Sequence, residues 1–356
     1  MDTQAVILAG GEGTRLRPLT TTRPKPIVPL LNRPFLEYQV AQLRQHGVTD
    51  IILSCSYRVD DVRAAMGTGA RVGVALRYAT EATPLGTAGG VRNAADLVRG
   101  RLVVLNGDIL TDADISAVLR FHAARESQTT IGLTPVDDPT RYGLVETDAE
   151  GRIRRFIEKP PPEQITTNMV NAGIYVLEAE LLARIAADRP VSIEREFFPA
   201  LVADGIPCFG VALGGYWRDI GTPAAYRSAQ VDLLQGRVAT AIAPRGVSRR
   251  GCWLGSGARI DPTAVLHAPS LLGAGVTVEA GAVIGPLTVL GDGCRVGAGA
   301  RVEGTVLWEC VAVEAYAVLS DCIVGADARI GEGARIGPGV VLESGGVVGP
   351  RARLSC

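Results

Sequence analysis

Three glycines, Gly10, Gly11 and Gly13, stand just after the apolar run Ala5-Val6-Ile7-Leu8, and four cations, Arg15, Arg17, Arg23 and Lys25, come close behind. The apolar run is short, partly β-branched and ends at glycine, which predicts a buried strand of a parallel sheet. Glycines after such a strand let backbone N–H groups approach a ligand with no Cβ in the way, and a nest of amides is an anion site. Amides backed by fixed cations suit a polyphosphate. Two common phosphate loops do not fit. The P-loop would need Lys-Ser or Lys-Thr after its last glycine, and the dinucleotide fingerprint would need a glycine where Leu16 stands. Two carboxylates complete the inventory. Asp108 closes Leu105-Asn106-Gly107-Asp108, and Asp219 lies in Tyr216-Trp217-Arg218-Asp219-Ile220-Gly221. Each sits at a predicted strand end. Alone, each could cap a turn; together they make a hard oxygen site suited to Mg²⁺ already carrying phosphate.

The string from Gly10 to Lys25, G-G-x-G-T-R-L-x-P-L-T-x-x-x-P-K, is far more specific than its glycines, and it resembles the signature of sugar-nucleotide pyrophosphorylases. These nucleotidyltransferases join a sugar 1-phosphate to a nucleoside triphosphate. The resemblance extends over most of the first 236 residues. It implies that Leu8, Gly10, Gly11, Gly13 and Thr14 face the nucleotide, that Asn106 and Gly107 also bind substrate, and that Asp108 and Asp219 hold the metal. It further implies that the turn through Pro84, Gly86 and Thr87 reads the base, with Glu81 just upstream. Gly143 would offer backbone to the sugar, Glu158 and Lys159 would bind the sugar and its phosphate, and Asn171 would contact sugar hydroxyls. The expected reaction is in-line attack of an ionised phosphate oxygen on the α-phosphorus, which needs positioning and charge stabilisation but no general base. In that scheme Arg15 holds the triphosphate, Lys25 offsets charge at the α-phosphate and Lys159 draws in the sugar phosphate. The motifs around Pro84, Lys159, Asn171 and Ser192-Ile193-Glu194-Arg195-Glu196 are most similar to those of mannose-1-phosphate guanylyltransferases. Heptose- and cyclitol-phosphate enzymes share much of them.

Composition narrows the remaining classes. A net charge of -1 leaves no footprint for nucleic acid or an anionic membrane. No apolar stretch is long enough to span a bilayer, and the first ten residues do not read as a secretory signal. Seven cysteines at scattered spacings make neither a disulfide framework nor a zinc site, so reduced thiols and a cytoplasmic setting are expected. Two other functions fit the sequence less well. An added acyltransferase would want a histidine in the C-terminal repeat, where only His267 stands. A catalytically dead relative would lack phosphate or metal ligands, and Arg15, Lys25, Asp108, Lys159 and Asp219 are all present.

The expected frame is a Rossmann-like mixed α/β/α nucleotidyltransferase domain over residues 1–236, a basic connector over 237–250 and a left-handed parallel β-helix over 251–356. In the first part strand-like and helix-like segments alternate. Helices are predicted from Pro34 to His46, Thr87 to Val98, Ser192 to Asp204 and Pro223 to Leu234. In the last part aliphatic residues recur every six: Leu254, Ile260, Leu266 and onward to Val302. After a slip of four the series resumes from Val306 through Ala312, Val318 and Val324 to Val348. One inward aliphatic per six, among small residues, is what a triangular coil of short strands needs. Trp253, Leu271, Leu307, Trp308 and Tyr316 lie off both ladders, so they should reach the surface or cover a junction, and a homo-oligomer is expected through this region.

Overall fold

The computed structural model describes residues 3–187 and 189–356; Met1 and Asp2, at the start of the segment read above as no signal, lie outside the described residues. The chain forms two compact units. One runs to Glu12 and takes in Leu36–Asp219; the other joins Gly13–Phe35 to Ile220–Cys356. The glycine-rich signature is therefore divided between them.

The first unit is built on one mixed sheet. Its strands run in the order Ile153–Glu158, Gly143–Thr147, Met169–Leu177, Arg101–Asn106, Thr3–Leu8, Asp50–Cys55 and Ala75–Thr80. Arg101–Asn106, Thr3–Leu8, Asp50–Cys55 and Ala75–Thr80 are mutually parallel, whereas Met169–Leu177 runs antiparallel to Arg101–Asn106. Thr3–Leu8 lies between two parallel neighbours, which is why its centre, Ala5-Val6-Ile7, is fully buried. Thr129–Pro135 pairs with the other side of Met169–Leu177, and Cys208–Ala212 pairs with Thr129–Pro135. That last strand had no sequence signal of its own, being five residues long and broken by Gly210. Helix α1 (Phe35–Gln45) matches its expected span to within a residue. The helix expected from Thr87 to Val98 stops early, as α2 (Gly86–Asn93) followed by a tight turn at Ala95–Leu97. Ser192 caps the next helical segment by accepting from the Arg195 N–H, but the segment opens as a wide π-turn, Ile193–Phe197, before becoming regular over Phe198–Ala203. Pro199 has no N–H to give the Arg195 carbonyl, so the usual α-helical bond cannot form there.

A buried polar cluster ties the far face of this sheet. His122 is fully buried; its Nδ1 lies 2.9 Å from Thr130 Oγ1 and its Nε2 lies 3.0 Å from Glu178 Oε1, which Arg101 also holds. Burial pushes the imidazole below its ordinary value of 6.5, and this outweighs the opposing bond to Glu178. A histidine depressed in the folded state binds its proton more readily unfolded. Its contribution is therefore complete above pH 6.5 and is lost as pH falls through the lower folded value. We expect the melting temperature to drop between pH 7 and pH 5 and the His122→Gln variant to flatten that slope; parallel slopes in a thermal melt series would refute the assignment.

The second unit carries the repeat. Short parallel strands stack into three sheets, one per face of the coil, the first of them opened by the antiparallel strand Val247–Arg249, with a continuous aliphatic core from Leu272 to Val348. The ladder before Val302 is as expected. After it the register differs. Leu290 stacks on Leu307, Val296 on Val313 and Val302 on Leu319, so these coils take 17 residues where Leu272 to Leu290 took 18. Leu307 stacks in turn on Val324, again 17 residues on, and Val324 on Leu342 restores 18. The slip of four is thus two separate deletions of one residue. Leu307, Val313 and Leu319 fill the core where Val306, Ala312 and Val318 were expected. The two shortened corners hold Gly304 and Asp321, both in the left-handed region. Arg227, on the closing helix α3 (Pro223–Leu234), bonds the Gly304 carbonyl at 2.9 Å and pairs with Asp321. Of the residues expected near the surface, Tyr316 is exposed, but Leu271, Leu307 and Trp308 are buried.

Candidate active site

In the first unit, two strand ends carry the acidic residues. Gly107 donates its N–H to the Leu8 carbonyl at 3.0 Å, and a Cβ there would lie well inside contact with that same oxygen. Glycine is therefore obligatory at this crossing, and it lets the chain turn directly from Asn106 to Asp108. Beyond the turn, Ile109–Thr111 pairs antiparallel with Trp217–Asp219, with Asp219 opposite Ile109. Asp219 is thus brought across the ribbon from the residue that follows Asp108, and paired residues lie about 4.5–5.5 Å apart at Cα. Both aspartates are half-buried. Among the described residues no group of three or more His, Cys, Asp or Glu could hold a metal ion unaided. Two hard carboxylate ligands suit a cation that brings phosphate oxygens of its own.

The turn expected to read the base is tied to the Ser192–Glu196 motif. Glu81 accepts from Ser54 Oγ at 2.9 Å and from the Leu85 N–H at 3.0 Å, so its carboxylate shapes the turn that holds Pro84. Gly86 has φ 74°, and a Cβ there would stand 2.6 Å from the Val191 carbonyl oxygen. The Leu85 carbonyl takes the Val191 N–H, and the Val191 carbonyl takes the Ala88 N–H at 2.9 Å. Thr87 Oγ1 donates to Glu194 Oε2 at 2.8 Å while accepting the Ile193 N–H. Two motifs a hundred residues apart thus form one piece. Gly10 stands nearby, its carbonyl accepting from Ser56 Oγ at 2.5 Å, and Gly11 is exposed with open space around it.

The residues expected at the sugar gather along the neighbouring strands. Gly143 cannot carry a side chain, because a Cβ would meet the Phe156 ring at 2.7 Å and Glu158 at 3.1 Å. The Lys159 N–H bonds the Tyr142 carbonyl at 2.9 Å, and Lys159 itself sits at φ 52°. A lysine held in the left-handed region is a small store of backbone strain, of the sort found at ligand sites. Burial raises the Glu158 carboxyl above its ordinary value, Glu194 adds to the rise, and Lys159 and Arg195 oppose it. Asn171 is fixed by Nδ2 on Tyr175 Oη and by Oδ1 on the Gly173 N–H, both at 2.9 Å, which leaves one amide hydrogen and one lone pair. Asn106 Oδ1 is buried with no hydrogen-bond partner among the described residues, an acceptor open to a hydroxyl. Trp217 donates to the Ala172 carbonyl at 2.8 Å and stands edge-on to Tyr142 at 5.5 Å. The roles of Glu194, Tyr175 and Trp217 as struts were not read from sequence. The Ser-Ile-Glu-Arg-Glu string marked the first of them as special without saying what it touches.

The second unit holds the cations of the signature. Gly13 takes φ 64° and opens a short turn, Thr14–Leu16, that leaves Thr14 and Arg15 exposed over the buried Leu16. Thr20 Oγ1 returns to the Gly13 carbonyl at 2.8 Å, and a Cβ on Gly13 would meet that of Lys25 at 3.0 Å. The loop is therefore a closed knot, with Lys25 mostly buried inside it. Arg23 departs from the expected phosphate cluster. Its guanidinium pairs with Glu309 of the coil.

Residues 4–236 match the model of the nucleotidyl transferase family, and residues 249–354 match that of the LbH domain of the EIF2B epsilon subunit. Mannose-1-phosphate guanylyltransferase of Mycobacterium tuberculosis is 42% identical over 265 residues, 74% of this chain and 72% of that protein. Mannose-1-phosphate guanyltransferase beta-B of Xenopus laevis is 40% identical over 65% of each chain. Among solved structures, a putative glucose-1-phosphate thymidylyltransferase from Bacillus anthracis superposes with a TM-score of 0.59 at 26% identity, covering 64% of this chain and 94% of that one. HddC from Yersinia pseudotuberculosis superposes with a TM-score of 0.56 at 30% identity, covering 65% of this chain and all of that one. The chain belongs to the nucleotidyl transferase family, as a sugar-1-phosphate nucleotidyltransferase whose catalytic fold is followed by a left-handed β-helix domain.

Proposed function

We propose that the protein makes GDP-mannose from mannose 1-phosphate and GTP, releasing pyrophosphate. The observation that carries the reaction is the strand pairing that puts Asp219 opposite Ile109, beside Asp108. Divalent metal is the usual helper of this family, and the carboxylate pair fits Mg²⁺, which when bound would neutralise phosphate charge. The chain's own residues do the remainder. Amides of the glycine loop and Arg15 hold the triphosphate. Lys25 stabilises charge building at the α-phosphate, and Lys159 with Asn171 and the Gly143 backbone orients the sugar phosphate so that its ionised oxygen attacks in line. The choice of guanine and mannose is supported by the relatives' names.

We place catalysis in residues 1–236, assembly in the β-helix of residues 251–356 after a connector over 237–250, and the protein in the cytoplasm as a homo-oligomer. All seven cysteines are unpaired, as a reducing compartment would keep them. No helix among the described residues is long and apolar enough to cross a membrane. A screen of five nucleoside triphosphates against mannose, glucose, heptose and cyclitol phosphates, read by pyrophosphate release, tests the proposal. GTP with mannose 1-phosphate should give the highest kcat/KM. A preference for another pair reassigns the substrates, and no turnover with any pair defeats the reaction itself.

A further inference from the structure

Resting on that reading of the reaction, we propose that Glu309 and Trp308 of the β-helix are positioning residues for the phosphate loop, acting through Arg23. Arg23 meets Glu309 with both terminal nitrogens, Nη1 standing 3.2 Å from Oε2, and its guanidinium lies 4.8 Å from the centre of the Trp308 ring. A forked arginine–carboxylate pair stacked on an aromatic face is a geometrically demanding anchor. Trp308 is itself held. It is 1% exposed, and its Nε1 donates to Tyr226 Oη at 3.0 Å.

A second tether runs from the same tryptophan. Tyr226 donates to the Pro29 carbonyl, and Gln230 bonds that carbonyl at 2.7 Å while accepting the Leu31 N–H at 2.8 Å. Asn32 reaches the Leu290 carbonyl of the coil at 2.7 Å. The loop is therefore pinned at Arg23 and again at residues 29–32. Between these points it is stiff, because Thr20 closes on Gly13, and the Val28 N–H closes on the Lys25 carbonyl at 3.2 Å. Whatever fixes Arg23 fixes Lys25, two residues on, and the turn that presents Arg15. The coil thus contributes to the rate without touching substrate.

The test compares the full-length protein with its Glu309→Gln, Arg23→Gln and double variants. Glu309→Gln should lower kcat about tenfold, the cost of losing one charge-assisted anchor, and leave the KM for sugar 1-phosphate within about twofold. Amide hydrogen exchange over residues 14–28 should quicken, while exchange over 101–106 and the melting temperature stay near wild type. The double variant should be no slower than either single one, since both remove the same contact. Trp308→Phe, which keeps the ring and loses the Nε1 donor, should show the same pattern more weakly. Unchanged exchange over 14–28, or additive losses in the double variant, overturns the inference. If the wild type releases no pyrophosphate, the reaction has been misread, and the exchange measurement alone still decides whether Glu309 anchors the loop.

Discussion

Replacing Asp108 or Asp219 by asparagine should lower turnover about a thousandfold at saturating substrates and leave the fold intact. Each carboxylate is half-buried at a strand end, and asparagine has nearly the same size. The change thus removes charge from the proposed metal site and little else. A hard cation held there would lose one of its two proposed protein ligands, and transition-state charge stabilisation of this sort is worth about 3–4 kcal/mol per group. The sign of the metal dependence gives the check. Both variants should need more Mg²⁺ than the wild type for half-maximal rate, with unchanged circular dichroism. Near-normal rates at low Mg²⁺ in both would show that the metal sits elsewhere.

Lys25→Met should cost almost as much. Methionine keeps an unbranched stem against Gly13 and so preserves the knot. It removes only the ammonium assigned to the α-phosphate, a loss of about 2–4 kcal/mol, or roughly 30- to 1,000-fold in kcat/KM. Lys159→Met should instead appear mainly as a raised KM for the sugar phosphate, because its assigned role is capture of the ground-state anion. Stopped-flow or coupled pyrophosphate assays on the two variants separate these effects. A Lys159→Met enzyme with an unaltered KM would dissolve the proposed division of labour.

The contrast between Lys25 and Arg23 shows how far sequence reading reaches. Glycines after a β-branched run are local signals, and the structure puts Gly107 where the Leu8 backbone leaves no room for a Cβ and Gly13 in the left-handed region. Asp108 and Asp219 were legible as strand-end acids, but their adjacency depends on a register between two three-residue strands that no periodicity announces. Arg23 reads identically to Arg15 in a list of cations. Only the partner 286 residues away separates them, and sequence spacing carries no trace of it. The same holds for Glu194, whose bond to Thr87 spans 107 residues. In the coil the period of six was plain. The place where it breaks was not, because Val306-Leu307 and Val318-Leu319 each offer two aliphatics side by side, and only packing into the coil's core chooses the second.

The two 17-residue coils have a consequence for anyone lengthening or shortening such a rod. Restoring the missing residue at Gly304 or Asp321 would make the repeat perfect and, by every rule of the coil itself, should be harmless. It would also push outward the corner that Arg227 clasps. In this chain an irregularity that reads as sloppy repetition is an address written in chain length. An alignment that closes the gap for neatness would erase it, and a design that idealises the rod would give up the berth for α3.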